Sequence, residues 1–157
     1  DYFSNKRVIF TALASSGEFF YRSIPNIKNV KATTMIAASH GAAIDVLSRG
    51  SADIAIIKNR IWDKKAGDFP SLEKAGEDKN ENPDSTLMVS KKADLKIASK
   101  ISNALLSLKG DTSPESHAVK EKLGIQGYIK TTKDDFKHTL SLLKKAGVTK
   151  SFDFKFE

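Results

Sequence analysis

Arg7-Val8-Ile9-Phe10-Thr11, followed by Ala14-Ser15-Ser16-Gly17-Glu18, is the stretch that decides how this chain folds. The first run is β-branched and aromatic, a strand signal. The second breaks the strand and opens a helix over 15–23, with Ser15 and Glu18 at the spacing of a capping box. Phe19, Phe20 and Ile24 form its apolar face. The pattern then recurs. Lys31-Ala32-Thr33-Thr34-Met35-Ile36 leads into Ser39-His40-Gly41 and a helix over 42–49, which Gly50 stops. Ala52-Asp53-Ile54-Ala55-Ile56-Ile57 is a third strand, apolar apart from Asp53. A strand that apolar is buried on both faces, as in a parallel sheet with helical crossovers. The fold class expected is α/β, a three-layer parallel or mixed sheet. In such sheets ligands sit beyond the carboxyl ends of the strands. Both turns, and Lys58, fall there.

Beyond Trp62 the texture changes. Residues 63–84 are polar, with one short strand signal at 71–75 and a turn at Asn82-Pro83-Asp84. Thr86-Leu87-Met88-Val89-Ser90 reads as a further strand of the same sheet. Helices are predicted over 93–108 (Ile97, Ile101, Leu105 and Leu108 spaced four, four and three), 114–123 (Pro114 at the first helical position after Ser113) and 133–146 (Phe136, Leu140 and Leu143 on one face). Phe152, Phe154 and Phe156 alternate like an edge strand. The organisation expected is a single α/β domain over 1–157, made of a βα array (1–92) and a helical return (93–157).

The 157 residues suffice for one core, and 39% hydrophobic with 29% charged is ordinary for a globular chain. Without cysteine there are no disulfides, thiolate metal sites or cysteine nucleophiles. The net charge of +7 reads as a solvated lysine-rich surface or, alternatively, as attraction of an anion: a small oxyanion, a membrane surface or nucleic acid. Nucleic acid is not the partner expected, because lysines and acids interleave from Asp63 onward without a basic stripe of exposed aromatics. No His, Asp and Glu grouping has metal-ligand spacing, and no cofactor motif is present.

The order of these motifs resembles the phosphate/phosphonate-type substrate-binding proteins of ABC transporters, which have the type II periplasmic binding fold. The likeness rests on Arg7 to Gly17, on Ser39-His40-Gly41-Ala42-Ala43, and on Gly50-Ser51-Ala52-Asp53-Ile54-Ala55-Ile56-Ile57. It continues through Asn82-Pro83-Asp84-Ser85-Thr86-Leu87-Met88-Val89 and the helices after it. The resemblance implies two α/β lobes with a ligand between them. The strand order expected together with it is 2-1-3. This chain matches the second lobe and the C-terminal region, with the first lobe missing. It also implies a small oxyanion ligand such as phosphate or phosphonate, an ABC transporter permease as partner, and a periplasmic or bacterial cell-surface location. A lobe without its mate is expected to expose an apolar patch or to hide it in a homodimer, with Phe152, Phe154 and Phe156 contributing.

Five residues are candidate ligand contacts: Ser15, Ser16, Gly17, His40 and Lys58. Ser15, Ser16 and Gly17 stand where a helix N-terminus meets a strand end, and free amides there favour an anion. The same residues also read as an ordinary helix cap. The family pattern resembles Ser-Thr-Ser-Gly, so Ala14 replaces one hydroxyl. His40 matches a ligand-contacting histidine of the family, or serves as a capping or solvated side chain. Lys58 stands where relatives that bind amino-phosphonates have Asp; it reads either as selecting a plain anion or as a solvated lysine. His117 and His138 read as surface residues. Two other functions fit the chain: a ligand-sensing or interaction domain of the same fold, and a hydrolase using Ser16 and His40. The second lacks an orienting acid and an oxyanion motif, so no enzymatic activity is expected.

Overall fold

A computed structural model describes residues 2–83 and 86–149. The alternating tail with Phe152, Phe154 and Phe156 lies outside them, as do Asp84 and Ser85 of the predicted turn. The chain forms two compact units, one of Asp1–Glu81 with Lys137–Glu157 and one of Asn82–Phe136. The last helix belongs with the first unit.

The first unit is built on a three-stranded parallel sheet: β1 (Arg7–Phe10), β2 (Thr33–Ile36) and β3 (Ile54–Ala55), in the order β2-β1-β3. This is the order expected. Helix α1 (Ser16–Ser23) connects β1 to β2, and α2 (His40–Ser48) connects β2 to β3. Alternation along β1 divides the core. Val8 and Phe10 face one layer with Tyr21 and Ile27, whereas Ile9 faces the other with Ala37, Ala43 and Ala52. Burial on both faces, expected of the third strand, is a property of β1. β1 is central, while β3 is an edge strand whose residues are half-buried. The paired part of β3 is short, and flanking bonds from Asp53 N–H to Arg7 O (2.9 Å) and Ile56 N–H to Ile9 O (2.9 Å) extend it.

Helix α3 (Asn59–Lys65) follows β3 directly and has no counterpart among the predicted elements. No strand forms at 71–75. Helix α6 (Lys137–Lys145) covers the outer side of α1, where Leu142 and Ala146 pack on Phe19 with Leu143 and Val148. Of the residues expected to share one face of this helix, Leu143 packs there whereas Leu140 is exposed. A 3-10 turn at Lys133–Phe136 precedes it and resets the phase of an apolar pattern read as one continuous helix.

The second unit contains α4 (Leu95–Ser107), capped by Asp94, and α5 (Pro114–Leu123), capped by Ser113 and ended by Gly124 at φ +64°. Gly127 has φ +148°, and a Cβ there would lie 2.6 Å from Lys109 Cα. Only glycine satisfies both conditions. Residues 86–90 form no strand and do not join the sheet. Leu87, Met88 and Val89 are exposed, and so are Ile97 and Ile101 of the apolar stripe on α4.

Candidate functional site

Three chain segments leave the carboxyl edge of the sheet, and each opens a helix. At the first, Ala14 takes up φ +58°, a left-handed conformation that costs a residue bearing Cβ about 1–2 kcal/mol. Ser15 then caps α1, its Oγ accepting from the Glu18 N–H at 3.2 Å. The other half of the capping box is altered. Glu18 Oε2 accepts from the Ala14 N–H at 2.6 Å rather than from that of Ser15, and Oε1 accepts from Arg22 Nε at 2.7 Å. The Glu18 side chain is fully buried. It pins the strained residue from below and supplies a negative group to the first turn, where the helix dipole favours one. Ser16 and Gly17 are the first residues of the helix, and their amides have no acceptor within it. Ser16 is exposed and Gly17 half-buried.

At the second segment, Ser39 Oγ accepts from the Ala42 N–H at 3.1 Å and starts α2 two residues earlier than predicted. His40 is thereby its first residue rather than a residue preceding it. The first turn of α2 carries no acid. A Cβ on Gly41 would lie 3.9 Å from Lys65 Cε, which puts a cationic chain beside this helix start.

The third segment, after β3, touches the other two. A Cβ on Gly17 would lie 3.4 Å from Ile56 Cγ2 and 3.6 Å from Ile56 O, ordinary contact distances. The Lys58 N–H donates to His40 Nδ1 at 3.4 Å, a long bond. Nδ1 is the acceptor in that contact. The structure thus joins His40 directly to Lys58 and sets Gly17 against Ile56 two residues earlier. Ser15 serves as a cap, and its hydroxyl is committed to Glu18 N–H.

Other groups were not apparent from the sequence. The Asn59 side-chain amide donates to Glu77 Oε1 at 2.8 Å, and Lys74 Nζ lies 3.0 Å from Glu77 Oε2, so the polar connection after α3 folds back on that helix's start. His138, read as a surface residue, is half-buried with Nε2 2.6 Å from Asp78 Oδ2. Burial raises the Asp78 pKa, but hydrogen bonds from Asn80 and His138 outweigh it and hold the carboxyl below its ordinary range. No periodicity reports a pair sixty positions apart in the chain. At the opposite edge of the sheet, Arg7 grips Asp53 through Nε (3.0 Å), Nη2 (3.0 Å) and its own N–H (2.8 Å). The side-chain bonds from Arg7, then its backbone N–H, drive the Asp53 carboxyl far below the usual carboxylate range. This clamp joins the starts of β1 and β3 and lies away from the carboxyl edge.

Among the described residues no group of three or more acidic, histidine or cysteine side chains is placed to hold a metal, and no helix is long and apolar enough to cross a membrane. Comparison with known proteins gives one positive finding. Residues 6–136 match the family model described as the phosphonate ABC transporter periplasmic substrate-binding protein. No curated protein and no solved structure matches the chain. The matched span contains β1 to β3 and all five candidate contacts, and this family consists of periplasmic solute-binding proteins rather than enzymes. The chain belongs to the phosphonate-binding family of ABC transporter periplasmic substrate-binding proteins.

Proposed function

We propose that the chain is a solute-binding component, or part of one, that takes a small oxyanion such as phosphate or phosphonate at the carboxyl edge of the β2-β1-β3 sheet. The observation that carries this reading is the contact of His40 with Lys58 at the start of α2, inside the span that matches the family. Ser16 and Gly17 would offer backbone N–H groups and one hydroxyl to an anionic oxygen. His40 Nε2 would donate to another, and Lys58 would add a solvent-screened positive charge. Ser15 would act by holding the turn. Charge-assisted hydrogen bonds of this kind contribute about 1.5–3 kcal/mol each. The binding unit is a single domain over 1–157 in this reading. A second lobe, or a second copy of the chain, would supply the remaining donors, and an ABC permease at the periplasmic or cell-surface face of a bacterial membrane would receive the solute.

Paired serine variants test this assignment. Ser16→Ala should weaken phosphate and methylphosphonate binding in calorimetry while leaving the urea midpoint unchanged. Ser15→Ala should lower stability by about 1 kcal/mol through the lost cap. Equal binding by Ser16→Ala and the unaltered chain would remove Ser16 from the site.

A further inference from the structure

Residues 86–101 of the second unit combine two properties that a solvated surface rarely carries together. Six large apolar side chains are exposed there: Leu87, Met88, Val89, Leu95, Ile97 and Ile101. Met88 is 88% exposed and Leu95 78%. The same stretch carries Lys91, Lys92, Lys96 and Lys100 against the single acid Asp94, a net charge of +3, and all four lysines are exposed. On α4, Ile97 and Ile101 stand one turn apart on one face, with Lys96 and Lys100 one position before each. Apolar side chains bordered by lysines, whose stems lie along apolar surface while the ammonium reaches a polar boundary, suit the interface of a lipid bilayer.

We propose that residues 86–101 form a docking surface for an anionic phospholipid bilayer. Charge decides between this occupant and a second copy of the chain. Self-association through this surface would bring four lysines against four with two aspartates between them, and like charges at a desolvated contact oppose it. A membrane surface rich in anionic headgroups attracts the same lysines within roughly one Debye length, about 10 Å at 0.1 M salt. Leu87, Met88 and Val89 precede the lysines in a segment without regular secondary structure and would enter the headgroup region as α4 lies along it. The surface needs none of the five candidate ligand contacts, so it goes beyond the solute-binding reading and stands or falls separately.

The experiment is co-sedimentation of the 157-residue chain with vesicles of phosphatidylcholine alone and of phosphatidylcholine mixed equally with phosphatidylglycerol. Binding to the anionic vesicles should be at least about tenfold tighter, and about 0.5 M salt should release it. Lys91→Glu with Lys92→Glu, and separately Met88→Ser with Ile97→Ser, should each reduce binding about tenfold or more. These side chains are exposed, and circular dichroism should show both variants folded. Absence of binding to anionic vesicles at low salt, or equal binding to both vesicle types, would overturn the proposal. So would light scattering that shows a dimer which Met88→Ser dissociates, because the occupant would then be a second copy.

Discussion

Replacing Glu18 by Ala removes the group that ties Ala14 to Arg22 beneath the start of α1. The loss has two parts. Hydrogen bonds to a charged acceptor contribute about 1.5–3 kcal/mol each, and Glu18 accepts one from Ala14 and one from Arg22. The Arg22 side chain is 32% exposed, so water recovers much of its share. The Ala14 N–H, in the tight turn, recovers less. The expected net cost is about 3 kcal/mol, within the range for breaking a buried pair at one end. Ala14→Gly should act in the opposite direction. It relieves φ +58° at no cost in contacts and should stabilise by about 1 kcal/mol. Urea unfolding followed by the fluorescence of Trp62, the single tryptophan and part of the first unit, reads both changes. At a slope of about 1–3 kcal/mol per molar urea, Glu18→Ala should lower the midpoint by about 1–3 M. A shift equivalent to less than about 1 kcal/mol, or destabilisation by Ala14→Gly, would refute the view that Glu18 holds a strained turn.

Three further outcomes follow from the packing and the charges. Ile9→Ala, which empties the β1 side chain facing α2, should cost about 2–5 kcal/mol by the same fluorescence assay. Gly127→Ala should disrupt the second unit, since its methyl would lie 2.6 Å from Lys109 Cα; hydrogen exchange should show lost protection in α5 while β1 remains protected. The clamp between Arg7 and Asp53 gives a signed dependence on pH. Because the folded-state pKa of Asp53 is depressed, its contribution is complete above the unfolded value of about 4 and is lost as pH falls through the folded value. Acid titration of stability should therefore be shallower in Asp53→Asn, and an unchanged acid limb would contradict the clamp.

What could be read from the sequence is the part set by local chemistry. The run Val8-Ile9-Phe10 and the two hydroxyl-rich turns announce parallel strands joined by capped helices, whereas the order 2-1-3 is an expectation that goes with the family resemblance. Partner-dependent features were less legible. Thr86 to Ser90 has the composition of a strand, but a strand also needs an edge to pair with, and in the structure this stretch is exposed and unpaired. The run 52–57 is apolar enough for a central strand, yet it pairs over a short length at the sheet edge. At the candidate site, the spacing of Ser15 and Glu18 announced a cap but not that the carboxylate bonds Ala14. His40 was legible as a residue at a strand end; its bond to Lys58, eighteen positions away, depends on the packing of β2 and β3 around β1.

The central claim is that an oxyanion binds where α1 and α2 begin. Titration of the chain with phosphate and methylphosphonate, followed by the amide resonances of Ser16, Gly17 and His40 and by the His40 ring, tests it most directly. For the few donors proposed here, the expected Kd is on the order of millimolar, about −4 kcal/mol. These resonances should move together and saturate, while those of Arg7 and Asp53 at the far edge of the sheet stay in place. If they remain unmoved at about ten times that concentration, this chain has no oxyanion site at the carboxyl edge.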